Sequence, residues 1–193
     1  MSHYKEIIER FGLRAPASCY PATVEGLQGY IDELTAGKEV FCTAEEVATP
    51  YHPEHARRYY GVPTLLPGDD AIRSVEGEGA LTSEAFERFG AIWALVLPFR
   101  QRDGRALKVE NWFRPGEYNV KVGGAENSDH LTANAVDLKF KDADHKRALI
   151  DYLDQFYGDR DIALSLGTKY RTRVHVGIRA PATLERSKRR RRW

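Results

Sequence analysis

From Val24 to Leu34 the apolar residues Val24, Leu27, Ile31 and Leu34 recur at helical spacing, and Gly37 follows as a stop, so the pattern predicts a helix there. Thr43 followed by Glu46 reads as a capping box opening a short helix, after which Pro50, Pro53, Pro63, Pro67 and Gly68 break the chain into loops. Ser83 is placed to cap a helix whose Phe86, Phe89, Trp93, Val96 and Leu97 form one stripe, with an expected end before Pro98. A further helix runs from about Ala143 to Tyr157, with Asp142 as cap, Gly158 as stop, and Leu149, Tyr152, Leu153 and Phe156 together. Between and after these lie β-like runs: Leu107 to Phe113, Ala135 to Phe140, Ile162 to Leu166 and Arg173 to Ile178. Helices early and strands late predict an α+β fold with a central antiparallel sheet and helices packed on it.

Composition narrows this picture only in places. A chain of 193 residues suits one main domain with an appended segment. A net charge of +1 argues against a generally acidic or basic partner surface, but Lys188 and Arg189 to Arg192 form a basic run before Trp193. That run reads either as a solvated tail or as a contact for an anionic polymer such as nucleic acid. Cys19 and Cys42 are too few for a disulfide framework or a cysteine-based zinc site. Met1 to Arg14 is amphipathic and charged, with no apolar stretch of signal-peptide length, and no stretch has membrane-spanning length. The expectation is synthesis in the cytoplasm, no membrane partner, and delivery by other means if the substrate lies outside.

The candidate chemistry sits in the strand-rich half. His130 precedes Asp137 by seven residues, and Asp137 falls in the alternating run Ala135-Val136-Asp137-Leu138. His175 lies in another such run, Val174-His175-Val176-Gly177-Ile178. Two nitrogen ligands and one carboxylate would leave a fourth tetrahedral position open, the composition of a catalytic zinc site, although a lone strand histidine is more often simply hydrogen-bonded.

The surrounding residues carry a resemblance. The stretch Phe113-Arg114-Pro115-Gly116-Glu117-Tyr118-Asn119, then Gly123-Gly124-Ala125, then Ser128-Asp129-His130-Leu131 and on to Ala135 and Asp137, with Val174-His175-Val176 later, resembles the zinc D-Ala-D-Ala carboxypeptidase family of murein peptidases. Its members carry S-x-H-x-x-G-x-A-x-D and a final strand histidine of the type V-H-V-D. The likeness extends from about Phe41 to Arg179 and includes His55 to Pro63. It implies residues 1–40 as an N-terminal helical extension, 41–180 as a zinc peptidase-like domain and 181–193 as the basic tail. It also implies zinc held by His130, Asp137 and His175, and a metal-activated water attacking an amide of peptidoglycan peptide stems. Arg114 matches the family arginine, which would pair with a substrate carboxylate or the developing oxyanion, the plain alternative being an arginine packed on Trp112. Ser128 would support the site through hydrogen bonds, or simply cap a turn. Trp112 and Tyr118, beside Arg114, are the aromatic residues best placed for substrate contact, with burial as the alternative.

Three departures bear on activity. The family glycine three after the first histidine is Ala133, tolerable at negative φ and strained otherwise. The residue two after the last histidine, commonly aspartate, is Gly177. The general base usually found two or three residues before that histidine is replaced by Arg173 and Thr172, neither of which takes a proton from water at neutral pH. Asp129, Glu126, Glu110 and His145 are the other titratable groups near the motif that could replace the absent base, each more often an ordinary surface group, and His52 and His55, which could suggest a second metal, are more often structural. Two functions follow: a zinc peptidoglycan peptidase of carboxypeptidase or endopeptidase type, or a catalytically impaired relative serving as a virion or cell-wall-binding component among phage structural proteins. A phage origin, with a lytic enzyme released at lysis or a particle component, suits either.

Overall fold

A computed structural model of the chain describes residues 2–16, 29–30, 32–34, 83–105, 107–112, 116–121, 123–159 and 161–179. The expected early helix is seen at 29–30 and 32–34, and the capping-box helix and the proline-broken loops lie outside the described residues. Helix α1 (His3–Arg10) starts at Ser2, whose hydroxyl accepts the Lys5 amide, and buries Tyr4, Ile7 and Ile8. Helix α2 (Ser83–Asp103) is buried almost all round, from Phe86 through Phe99, because it lies between α1 on one side and the sheet on the other.

The expected end of α2 before Pro98 is not observed: the helix continues to Asp103. Proline removes one amide and crowds the preceding turn, which would end an isolated helix. Here Phe99, beyond the proline, is buried against Tyr152 and His145, and the Tyr152 hydroxyl donates to Leu95 O in the turn that the proline loosens, at 2.9 Å. Tertiary packing therefore carries the helix through.

Strand β1 (Lys108–Asn111), helix α3 (Gly116–Lys121), a 3₁₀ turn (Asp129–Thr132), strand β2 (Ala135–Lys139), helix α4 (Ala143–Asp154), strand β3 (Leu164–Gly167) and strand β4 (Arg173–Ile178) follow. The strands form one antiparallel sheet in the order β1-β2-β4-β3. The α+β expectation is thus met. Asp142 caps α4 by accepting the Asp144 amide, and Gly158 ends the following turn at φ 96°.

Period-2 alternation divides the sheet into two faces. Val136, Leu138, Val174, Val176 and Leu166 point one way, are fully buried, and pack on α2 and α4. Asp137, Lys139, Arg173, His175 and Ser165 share the other face, where the ladder sets Asp137 opposite His175 and Ser165 opposite Gly177. The hydrophobic face fixes the register, since a slip by one residue would turn every buried valine outward.

Gly90, inside α2, supports a prediction. Alanine normally stabilises a helix interior relative to glycine by roughly 0.5–1 kcal/mol. At Gly90 an added Cβ would lie 2.0 Å from the Tyr30 hydroxyl oxygen and 2.9 Å from its ring. Gly90→Ala should therefore reverse the usual sign and lower stability by about 1–3 kcal/mol in urea unfolding, with Tyr30→Phe recovering part of the loss. A stabilising Gly90→Ala would show that Tyr30 does not press on this helix.

Candidate metal centre

The turn that carries His130 is fastened from several directions. The Ser128 hydroxyl accepts the His130 amide at 3.4 Å and caps the turn. Arg88 of α2 donates to Thr132 O, the Trp112 indole donates to Ala133 O at 3.4 Å, and the Tyr4 hydroxyl of α1 donates to the Asn134 side chain at 2.8 Å. Ala133 closes the turn at φ 56°, in the left-handed region, so the replacement of glycine here is the strained alternative, at about 1–2 kcal/mol. Its amide bonds back to the turn, and its side chain is buried.

Within this frame the donor atoms converge. His130 Nδ1 donates to Trp112 O at 2.7 Å, because a carbonyl only accepts, and this leaves Nε2 facing Asp137 Oδ1 at 3.3 Å. His175 Nδ1 lies 3.0 Å from the same oxygen, and Asn111 of β1 donates to Asp137 Oδ2 at 3.4 Å. The two imidazoles meet edge to face with centroids 5.0 Å apart. One donor atom from each of His130, Asp137 and His175 lies within 4.8 Å of the others, and all three residues are buried. A tetrahedral zinc with bonds of about 2.0–2.2 Å sets its N and O ligands roughly 3.3 Å apart, so the donor set and the two distances to Asp137 fit that ion.

The pKa directions follow from this crowding. Burial pushes both Asp137 and Asp129 up, yet hydrogen bonds and charge from their histidine and arginine neighbours outweigh it and hold both carboxyls below the usual range. Burial pushes His175 down, but the Asp129 and Asp137 carboxylates overcome it and raise its pKa.

Asp129 is not a surface group. Arg179, just after β4, donates to its Oδ2 from both Nε (3.2 Å) and a terminal nitrogen (2.7 Å), Ser165 Oγ lies 3.5 Å away, and His175 Nε2 lies 3.9 Å away. Gly177 is closely surrounded: a Cβ there would stand 3.0 Å from Asn134 O and 3.4 Å from the Ala135 and Ser165 Cβ atoms, so a side chain would need the Asn134 backbone to give slightly. At the family base positions, Thr172 O accepts the Phe140 amide, and Arg173 pairs with Glu110 at 3.1 Å while lying over the Tyr170 ring. Lys139 shares Glu110 at 2.8 Å.

The geometry thus brings His130, Asp137 and His175 together and sets Ser128 beneath the first histidine. The Trp112 side chain lies in the core against Phe86 and Phe89, and what it offers the site is its carbonyl. Arg114, Cys19, Cys42, His52, His55 and the basic tail lie outside the described residues, as does the Tyr118 side chain. His145 is buried beside Asp103, away from the triad and stacked on Phe99. Sequence reasoning did not find Asn111 or Arg179. Asn111 had no signal, and Arg179 could have been suspected only from its place beside the last strand. Among the described residues no helix is long and apolar enough to cross a membrane.

A model of the family described as Peptidase M15 matches residues 75–176, just over half of the chain. No curated protein matches the chain.

These shifts predict an unusual pH dependence of the metal-free protein. The contribution of His175 is fully present below its unfolded pKa of about 6.5 and is lost as pH rises through its raised folded value. Those of Asp137 and Asp129 are present above about 3.9 and are lost as pH falls through their lowered folded values. With chelator present, the urea midpoint should therefore decline from about pH 6 to about pH 9. Added zinc should reverse that trend, since metal binding displaces the His175 proton. A flat profile in both conditions would contradict the ion-pair geometry around His175.

Proposed function

The chain belongs to the peptidase M15 family, and we propose that within it the protein is a peptidase of peptidoglycan stems, of the D-Ala-D-Ala carboxypeptidase or murein endopeptidase type. Members of the family are metallopeptidases, typically with zinc. The observation that carries the reading is the convergence of His130 Nε2, Asp137 Oδ1 and His175 Nδ1 on one buried point, a donor set of two imidazoles and one carboxylate.

These three side chains would hold the ion, which when bound supplies a Lewis acid and a water of lowered pKa. The protein's own part is orientation. Trp112 O fixes which nitrogen of His130 faces inward, and Asn111 holds the second oxygen of Asp137 so that Oδ1 points at both histidines. Arg114, by its match to the family arginine, would receive a substrate carboxylate in a bidentate pair. The substrate class rests on the motif resemblance, as does the placement of Tyr118 beside it.

A second reading is favoured by one observation. The positions that usually hold the base are Thr172 and Arg173, and the guanidinium of Arg173 is engaged by Glu110. Without a positioned base the rate falls typically by about 10²–10⁴-fold, which suits a relative retained as a virion or wall-binding component.

The zinc-loaded protein should release D-Ala, or split a cross-link, when incubated with D-Ala-terminated stem peptides and cross-linked muropeptides, with products identified by mass. His175→Ala and His130→Ala should abolish both zinc retention and turnover. Arg173→His, which sets an imidazole beside His175 on the same face, should raise the rate at unchanged zinc content. Zero turnover in wild type and Arg173→His, with zinc bound in each, would favour the non-catalytic relative.

A further inference from the structure

Resting on the zinc reading above, we infer that Asp129, clamped by Arg179 and Ser165, is the positioning carboxylate that fixes His175 with Nδ1 toward the metal and Nε2–H toward the protein. A metal-bound histidine needs its second ring nitrogen held, otherwise the ring rotates and its tautomer is undetermined. In this chain His175 Nδ1 faces Asp137 at 3.0 Å, and its Nε2 faces Asp129 Oδ2 at 3.9 Å, within ion-pair reach. Position 177, two residues beyond His175, is glycine and supplies no carboxylate, and a Cβ there would meet Asn134 O tightly, at 3.0 Å. The space over that glycine is instead approached from the side: Ser165, paired with Gly177 across the β3–β4 ladder, has its hydroxyl 3.5 Å from Asp129 Oδ2.

Arg179 decides that Asp129 can do this. Its two hydrogen bonds to Oδ2 make a charge-assisted clamp in a partly buried setting, so the carboxylate is held in place and stays ionised. Asp129 sits in the turn one residue before His130, so it links both histidines: the turn that carries His130 also places a carboxylate beside His175. The same geometry commits Asp129 to Arg179 and His175 rather than to the base role. It approaches the His175 ring at Nε2, whereas Asp137 meets the ring at Nδ1.

The test is zinc affinity, read by competition with a chromogenic chelator in full-length wild type and variants whose folding is checked by circular dichroism. Asp129→Ala should weaken zinc binding by about 10–100-fold. Asp129→Asn, whose amide oxygen still accepts from Nε2–H, should lose less. Arg179→Gln leaves the carboxylate but frees it, and should lose several-fold, so it reports on the same link even if Asp129→Ala does not fold. The double variant should be no worse than Asp129→Ala alone, because the two residues act through one contact. In ¹⁵N spectra of the zinc-loaded wild type, His175 should carry its proton on Nε2. Wild-type affinity in Asp129→Ala, additive losses in the double variant, or zinc found on Nε2 of His175 would each overturn the inference while leaving the metal site standing. A wild type that binds no zinc at all would remove the metal reading, and this inference with it.

Discussion

The pairing of Asp137 with His175 across the β2–β4 ladder is the contact on which the site depends. Neither residue chooses its neighbour by its own chemistry. The buried valines and leucines on the opposite face of the sheet set the register, and the register puts a carboxylate and an imidazole side by side on the polar face. Against the burial that opposes both charges, His130 and His175 hold the Asp137 carboxyl down, and Asp129 and Asp137 hold the His175 imidazole up. The core helix α2, continued through Pro98 by packing on Tyr152, is what keeps that hydrophobic face covered.

His130 is brought to this pair by a different device, a short 3₁₀ turn rather than a strand. Such a turn has little stability of its own, and here it is held by a serine cap, by Arg88 and Tyr4 from two helices, and by the indole of Trp112. That outside support explains how an alanine persists in the left-handed conformation at position 133. The strain is local, and several fixed contacts around it determine the backbone. It also gives α1 a structural role: Tyr4 links the N-terminal helix to the residue that precedes β2.

Much of this was legible in the chain. Alternation in Ala135 to Phe140 and Arg173 to Ile178 marked the two strands, and the S-x-H spacing with the later V-H-V run marked the three side chains that converge, because short periodic patterns map directly onto faces. What was not legible has a common cause. The continuation of α2 beyond Pro98, the αL turn at Ala133, and the joining of Asp129 to Arg179 across fifty residues all depend on partners distant in sequence. Local propensity read Pro98 as a stop and Asp129 as a surface acid, and tertiary packing overrode both. Family spacing likewise flagged the loss of an aspartate at Gly177 without revealing how closely the backbone of Asn134 approaches that position.

A peptidase without the usual base next to its last histidine depends all the more on how its metal is held. The central claim is therefore the donor set itself. A crystal structure of the zinc-soaked protein, with anomalous scattering recorded on both sides of the zinc edge, measures it most directly. The account predicts one strong anomalous peak bonded at about 2.0–2.2 Å to His130 Nε2, Asp137 Oδ1 and His175 Nδ1, with the fourth position open to solvent. A peak at another cluster, or none at this one under saturating zinc, would contradict it.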